Sequence, residues 1–295
     1  VHGLFIASHC ALLNGTPMIF MEKFEATQVM ARLPDATVMM GVPTFYTRLL
    51  YQQDLNQEFV AHMRVFICGS APLTEQTFGE WEQQTGHRIL ERYGMSETII
   101  NTSNPLEGER VAGTVGYALP GQQVRVADEA GVPLPAGEVG MIEVSGPNVF
   151  QGYWRMPEKT AEELREDGFF ITGDLGALDA DGRLSIVGRS KDLVISGGYN
   201  VYPKEVEAVL DEMPEVAESA VIGVPHRDFG EAVVAVVVAS GPEVTLQDIE
   251  LALGSRLARF KQPKQVVNVS ELPRNTMGKV QKNKLRELHS GLFDH

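Results

Sequence analysis

The 295-residue chain is long enough for about two domains, and its 43% hydrophobic and 7% aromatic content suits packed globular cores, not a disordered chain. Lysine plus arginine number 25 against 39 aspartate plus glutamate, and the net charge of −14 excludes a general nucleic-acid or anionic-membrane surface, which needs a basic face. Any bound anion must then be held by a local positive site. The two cysteines, Cys10 and Cys68, lie inside apolar runs without metal-like spacing, so both are expected to be buried free thiols of a reducing, cytoplasmic compartment. No apolar run approaches the roughly 20 residues of a membrane span.

Val1-His2-Gly3-Leu4 is neither an initiator methionine nor a signal peptide, and the chain is expected to start mid-protein. Residues 3–13 read as a helix stopped by Asn14-Gly15, and 18–21 as a short buried strand. Two further short apolar strands are expected at 37–41 and 63–69, separated by helical segments. The clearest helix begins after Thr74, which can cap it, turns Phe78 and Trp81 to one face and ends at Thr85-Gly86. Strands alternating with helices imply a largely parallel α/β sheet, whose ligands sit beyond the carboxyl ends of the strands.

From 111 to 154 the pattern changes to short β-branched runs between turn clusters, an all-β insert or subdomain. Residues 172–203 then crowd Thr172, Asp174, Arg189 and Lys191 among glycines that let the chain turn sharply, which reads as a seam between a large domain and a smaller one. Beyond it a helix is expected at 203–210, strands at 216–223 and 232–239, and a helix from Thr245. There Thr245 and Asp248 have capping-box spacing and Leu246, Ile249, Leu253 and Leu257 share a face.

Candidate chemistry lies where apolar strands run out. Cys68-Gly69-Ser70-Ala71-Pro72 ends one strand with small residues that let a flat ring lie against the backbone. Glu91-Arg92-Tyr93-Gly94-Met95-Ser96-Glu97 follows another and offers an aromatic face, a hydroxyl and a carboxylate. Each stretch alone is equally compatible with a plain structural turn.

Taken together, five motifs in order resemble the adenylate-forming superfamily of acyl-CoA synthetases, luciferases and peptide-synthetase adenylation domains. They are Tyr-Gly-Met-Ser-Glu at 93–97, Gly-Phe-Phe-Ile-Thr-Gly-Asp at 168–174, Gly-Arg-Ser-Lys-Asp at 188–192, Gly-Gly-Tyr-Asn-Val-Tyr-Pro at 197–203 and Pro-Arg-Asn-Thr-Met-Gly-Lys at 273–279. The resemblance implies an α/β fold. Residues 1–188 would be the C-terminal part of a large multi-sheet AMP-binding domain with a β-rich subdomain at about 111–187; 189–192 a hinge; 193–295 a small mobile α+β C-terminal domain.

The resemblance also implies roles. Such enzymes join a carboxylate to AMP from ATP, release pyrophosphate, and pass the acyl group to the thiol of coenzyme A. Glu97 would bind Mg2+, a hard cation suited to carboxylate and phosphate oxygens. Ser96 would hydrogen-bond the α-phosphate, Gly69, Ser70, Ala71 and Pro72 with Tyr93 would hold adenine, and the flanking Glu91, Arg92, Gly94 and Met95 would complete the nucleotide site. Asp174 would accept from the ribose hydroxyls with Arg189 nearby. Lys279 would reach both the incoming carboxylate and the α-phosphate; by itself, without the other four motifs, it reads instead as an exposed lysine after a glycine turn. Lys191 matches the hinge position, or else lies in an ordinary linker, and Gly197, Gly198 and Tyr199 would face the thiol.

For the acid, the chain is most similar to malonyl-CoA synthetases, through residues 42–50, 91–98 and 146–160. That likeness implies that the guanidinium of Arg48 binds malonate's second carboxylate and that His2 lines the acyl pocket, against readings of both as solvated surface residues. One departure stands out: the Ser/Thr/Gly-rich loop ending in Lys-Gly that wraps the β- and γ-phosphates in acyl-CoA synthetases is not found here, so the chain is expected to be a C-terminal portion. Three functions follow: a malonate:CoA ligase, a CoA ligase for another short-chain or aromatic acid such as methylmalonate or a fatty acid, or a non-catalytic module binding AMP or an acyl-adenylate.

Overall fold

β-branched and small residues dominate the short strands, and helices with one apolar face cover them. The computed structural model describes residues 2–254, 256–275 and 279–293. Its chain separates into two compact units, one of residues 1–172 with 176–186, the other of 173–175 with 187–295.

The first unit opens with a π-helical turn, His2–Ser8, running into α1, His9–Leu13, which Asn14 and Gly15 end as expected, Gly15 taking φ +63°. None of α1 is buried, and Cys10 is exposed, not buried as the sequence suggests. The expected strand at 18–21 is irregular and open to solvent, Phe20 being 87% exposed. An apolar run becomes a buried strand only when a neighbouring strand takes up its backbone groups, and none among the described residues does so here.

Helix α2, Ala26–Arg32, leads to β1, Val38–Gly41, and α3, Pro43–Leu50, leads to β2, Val65–Cys68. Helix α4, Glu75–Thr85, then leads to β3, Leu90–Tyr93. The cap of α4 forms as read: Thr74 Oγ1 accepts from the Thr77 N–H at 3.1 Å, and Gly86 ends the helix at φ +72°. Strands β1, β2 and β3 are parallel. Short strands β4, Thr102–Ser103, and β5, Tyr117–Ala118, extend the sheet antiparallel, so it is mixed, with only one end parallel. Trp81, Tyr46 and Phe66 fill its core, Tyr46 and Phe66 both edge-on to Trp81 at 4.9 Å, and Tyr46 donates to the Ile67 carbonyl at 2.6 Å.

A four-stranded sheet follows, in the order β6, Gln123–Ala127; β7, Gly140–Ser145; β8, Phe170–Leu178; β9, Leu184–Arg189. A helix, α5, Pro157–Glu163, lies between β7 and β8, beyond the 111–154 stretch read as all-β and within the 111–187 region read as β-rich. In this sheet the Glu143 carboxyl is fully buried. Arg125, its cross-strand partner, and Arg165 both bond it, at 2.8 and 2.6 Å, which offsets its desolvation.

The second unit carries the hairpin β10, Val194–Ser196, and β11, Tyr199–Val201; then α6, Pro203–Leu210; β12, Val216–His226; β13, Gly230–Ala239; α7, Leu246–Leu253; β14, Gln265–Asn268; and α8, Lys282–Leu288. Its sheet runs β11-β10-β13-β12, with β14 parallel to β13. Helix α6 has the expected bounds, and the capping box of Thr245 and Asp248 forms with both of its bonds. Helices α6 and α7 cover one face with Val206, Leu210, Ile249 and Leu253; α8 seals the other with Leu285.

Candidate active site

In the first unit two neighbouring parallel strands end in loops under strain. After β2, Ser70 takes φ +70°, a left-handed conformation that non-glycine residues rarely adopt and that clusters at functional sites. After β3, Gly94 is required by space: a Cβ there would stand 2.0 Å from the Ile99 carbonyl oxygen. The loop folds back on itself because Ile99 donates to the Met95 carbonyl at 2.7 Å and Asn101 to that of Tyr93 at 2.8 Å. A pocket between the two loops brings together Gly69, Ser70, Arg92, Gly94 and Met95 with Ile6, Ile99 and Ile100. Ala71 and Pro72 are not among its lining residues.

Arg92 is half-buried in that pocket, and burial pulls its guanidinium below the usual arginine range. Glu91 and Tyr93, which alternate with it along β3, are buried. Tyr93 belongs to a buried cluster with Val126, Ile142, Val144 and Leu184 and is not among the residues lining this pocket. Burial and the nearby Glu91 carboxylate push the Cys68 thiol up, which makes it inert.

Ser96 is exposed in the turn, and Glu97 is half-buried beside it. The Phe150 N–H donates to the Glu97 carbonyl at 2.8 Å, and the Asn148 side-chain amide to the Thr98 carbonyl at 2.7 Å. Tyr153 places its hydroxyl 3.2 Å from Glu97 Oε1 and 2.5 Å from Glu163 Oε2. Sequence reading attached no role to Asn148, Tyr153 or Glu163; the only signal was their place in, or just after, the 146–160 stretch. No group of three or more metal-ligating side chains occurs among the described residues. A single half-buried carboxylate nevertheless fits Mg2+ carried on nucleotide phosphates, since that ion is usually bound through one or two carboxylates plus the phosphates.

Arg48 lies in the last turn of α3, where a cation suits the helix dipole, and it is exposed. The same helix turns Tyr46 and Leu49 into the core. Arg48 is not among the residues lining the described pocket. His2 falls in the π-helical turn, and its side chain lies outside the described residues.

The second unit gathers three expected residues from distant parts of the chain. Arg189 Nε bonds Asp174 Oδ1 at 2.9 Å, and Asp174 is only 4% exposed. Ser190 ties the same turn by donating to the Gly173 carbonyl at 3.1 Å. Lys279 stands close enough to feel both charges. Its ammonium is held below the ordinary lysine range, first by partial desolvation and then by the Arg189 charge, while Asp174 acts in the opposite direction. The Lys279 N–H donates to Asn275 Oδ1 at 3.0 Å and the Asn275 N–H to the Lys279 carbonyl at 2.9 Å, which close the turn from both sides. Thr276, Met277 and Gly278 of that motif lie outside the described residues.

Lys191 is exposed in the short 3-10 turn Ser190–Asp192, next to Asp192, which Arg286 of α8 holds at 2.9 Å. Gly197 and Gly198, at φ +58° and +81°, form the two-residue turn between β10 and β11, a geometry that calls for glycine at both positions. Tyr199, 59% exposed, follows and stacks on Phe260 at 4.7 Å.

Residues 1–154 match the AMP-binding enzyme family and 205–279 the AMP-binding enzyme C-terminal domain. The chain belongs to the AMP-binding enzyme family. Its fold is the α/β multi-sheet fold of adenylate-forming enzymes, with the C-terminal AMP-binding domain following. Among solved structures, ATP-bound MatB from Rhodopseudomonas palustris is 58% identical with a TM-score of 0.96, across 99% of this chain and 58% of that one. The o-succinylbenzoate CoA synthetase of Bacillus subtilis, complexed with its acyl-adenylate, is 29% identical with a TM-score of 0.87, across 95% and 57%. A malonate–CoA ligase of Arabidopsis thaliana is 38% identical over 97% of this chain and 52% of its own length. The chain thus spans about half the length of the curated relatives it matches. Among the described residues no helix is long and apolar enough to cross a membrane.

Proposed function

We propose that this chain carries catalytic residues of an ATP-dependent acid:CoA ligase, with malonate as the acid. What supports this reading is the buried Asp174, paired with Arg189 at 2.9 Å and within electrostatic range of Lys279, because a cation near a carboxylate that could take the ribose hydroxyls suits acyl-adenylate formation. In the first half-reaction a carboxylate oxygen attacks the α-phosphorus of ATP and pyrophosphate leaves. In the second the thiolate of coenzyme A attacks the acyl carbonyl and AMP leaves.

Lys279 would stabilise the charge that builds on the α-phosphate and hold the incoming carboxylate. Ser96 would donate to an α-phosphate oxygen and Glu97 would hold Mg2+, which when bound draws charge off the phosphates. The Gly69–Ser70 and Gly94–Met95 backbones would border the nucleotide, and the Gly197-Gly198 turn would admit the thiol. Malonate is supported by the likeness to the Arabidopsis malonate–CoA ligase and to a mouse mitochondrial malonate–CoA ligase, 36% identical. Arg48 would take the second carboxylate.

The test is pyrophosphate release from ATP and Mg2+ with malonate, methylmalonate, acetate, a fatty acid and ferulate offered singly. Malonate is expected to give the highest kcat/KM, and Arg48→Met to lower it by about 2 kcal/mol of transition-state binding while sparing the monocarboxylic acids. Unchanged malonate turnover in Arg48→Met would refute the assignment of the acid. AMP binding by calorimetry without pyrophosphate release from any acid would identify a binding module instead.

A further inference from the structure

The Tyr153 hydroxyl stands between two carboxylates, Glu97 Oε1 at 3.2 Å and Glu163 Oε2 at 2.5 Å. Its single proton is shared between them, the hydroxyl donating to both oxygens in a bifurcated bond. Two carboxylates this close would repel each other if both charges went uncompensated, and only one is compensated: Lys159 Nζ bonds Glu163 Oε1 at 2.7 Å. Glu97 has no such cation, and among the described residues its second oxygen, Oε2, takes no partner. One Glu97 oxygen is therefore within hydrogen-bond reach of the Tyr153 hydroxyl, and the other is left over.

Tyr153 is held from several sides. Its ring packs edge-on against Phe150 at 4.8 Å, Phe150 also donates its N–H to the Glu97 carbonyl, and the Tyr153 N–H donates to Thr160 Oγ1 at 2.9 Å. The order of charges on α5 adds an independent indication. Lys159 near the amino end and Glu163 at the carboxyl end oppose the helix dipole, so the pair is poorly arranged for stabilising the helix. Its arrangement makes sense as a holder of the tyrosine hydroxyl.

We propose that Tyr153, held by the Glu163–Lys159 pair, is the positioning residue of Glu97, orienting its carboxylate for a divalent cation that arrives with the nucleotide phosphates. The inference rests on the reading of Glu97 as the metal-binding group. Tyrosine is not itself a ligand in this arrangement; it acts through Glu97, as hydrogen-bond partners of metal-ligating carboxylates commonly do.

The experiment titrates Mn2+, followed by electron paramagnetic resonance, into the protein saturated with ATP, for the parent, Tyr153→Phe, Glu163→Gln and Glu97→Gln. Tyr153→Phe removes one oxygen atom and keeps the packing on Phe150. It is expected to weaken Mn2+ binding about 10-fold, with Glu163→Gln shifted in the same direction and Glu97→Gln weakened most. Calorimetry with AMP in the absence of metal is the companion measurement, and Tyr153→Phe is expected to match the parent there. Parent-like Mn2+ affinity in Tyr153→Phe alongside a loss in Glu97→Gln overturns the inference and leaves the Glu97 reading intact. So does an equal weakening of Mn2+ and metal-free AMP binding in Tyr153→Phe, which marks a merely structural role. No ATP-dependent Mn2+ binding by the parent, or no loss in Glu97→Gln, overturns the Glu97 reading and the inference with it.

Discussion

Lys279 and Gly94 show two ways in which a single residue serves a nucleotide site. The Lys279 ammonium shares its surroundings with Arg189 and Asp174 and is held below the ordinary lysine range. It therefore loses its charge at a lower pH than an unperturbed lysine. Pyrophosphate release is expected to fall as pH rises through that lowered pKa, and Lys279→Arg to move the fall to higher pH because guanidinium stays charged. Lys279→Ala should cost about 10²-fold in pyrophosphate release; a rate equal to the parent would end its assignment. Gly94 contributes by having no side chain. In Gly94→Ala the new methyl meets the Ile99 carbonyl at 2.0 Å, and a loss of about 2 kcal/mol in denaturant unfolding is expected, with weaker AMP binding. A parent-like unfolding midpoint would mean that the loop relaxes freely.

At the scale of elements, the turn Ser190–Asp192 is the point on which the two half-reactions would depend. Asp192 is fastened to Arg286 on α8, while Lys191 beside it is exposed, and we propose Lys191 as the pivot. Hinges concentrate their φ/ψ change in a few such residues. Lys191→Pro, which fixes φ, is expected to leave pyrophosphate release within about 2-fold and to slow thioester formation by more than about 10-fold. Equal loss in both half-reactions, measured separately, would count against a pivot here. The Gly197-Gly198 turn belongs to the same scale: a two-residue hairpin between paired strands demands those dihedrals whatever the ligand.

For the whole molecule, each unit buries its own apolar clusters. Val206, Leu210, Ile249 and Leu253 belong to one, Phe66, Trp81 and Tyr46 to the other. Leu210→Ala is accordingly expected to destabilise the second unit by about 2–5 kcal/mol and, in scanning calorimetry, to lower the transition of that unit while the other stays in place. A single transition shifted as a whole would show instead that the two cores unfold together.

Interactions spanning a few residues were legible in the chain itself. The Thr74 cap and Gly86 stop, the capping box of Thr245 and Asp248, the bounds of α6 and the strand-end position of the Gly69 and Gly94 loops all follow from short-range sterics and hydrogen bonding. Motif order determined the family. Only the tertiary structure decided which way side chains and apolar runs face. Residues 18–21 look like a strand but stay exposed because no described strand pairs with them, and Tyr93 looks like a stacking platform but is packed against Ile142 and Val144. Tyr153 meets Glu97 across 56 residues, and Lys279, from the far end of the chain, comes within electrostatic range of the Asp174–Arg189 pair. Such meetings depend on how separate elements pack, and residue order carries no direct record of them, because burial and pairing energies are set by neighbours that the fold brings in from elsewhere.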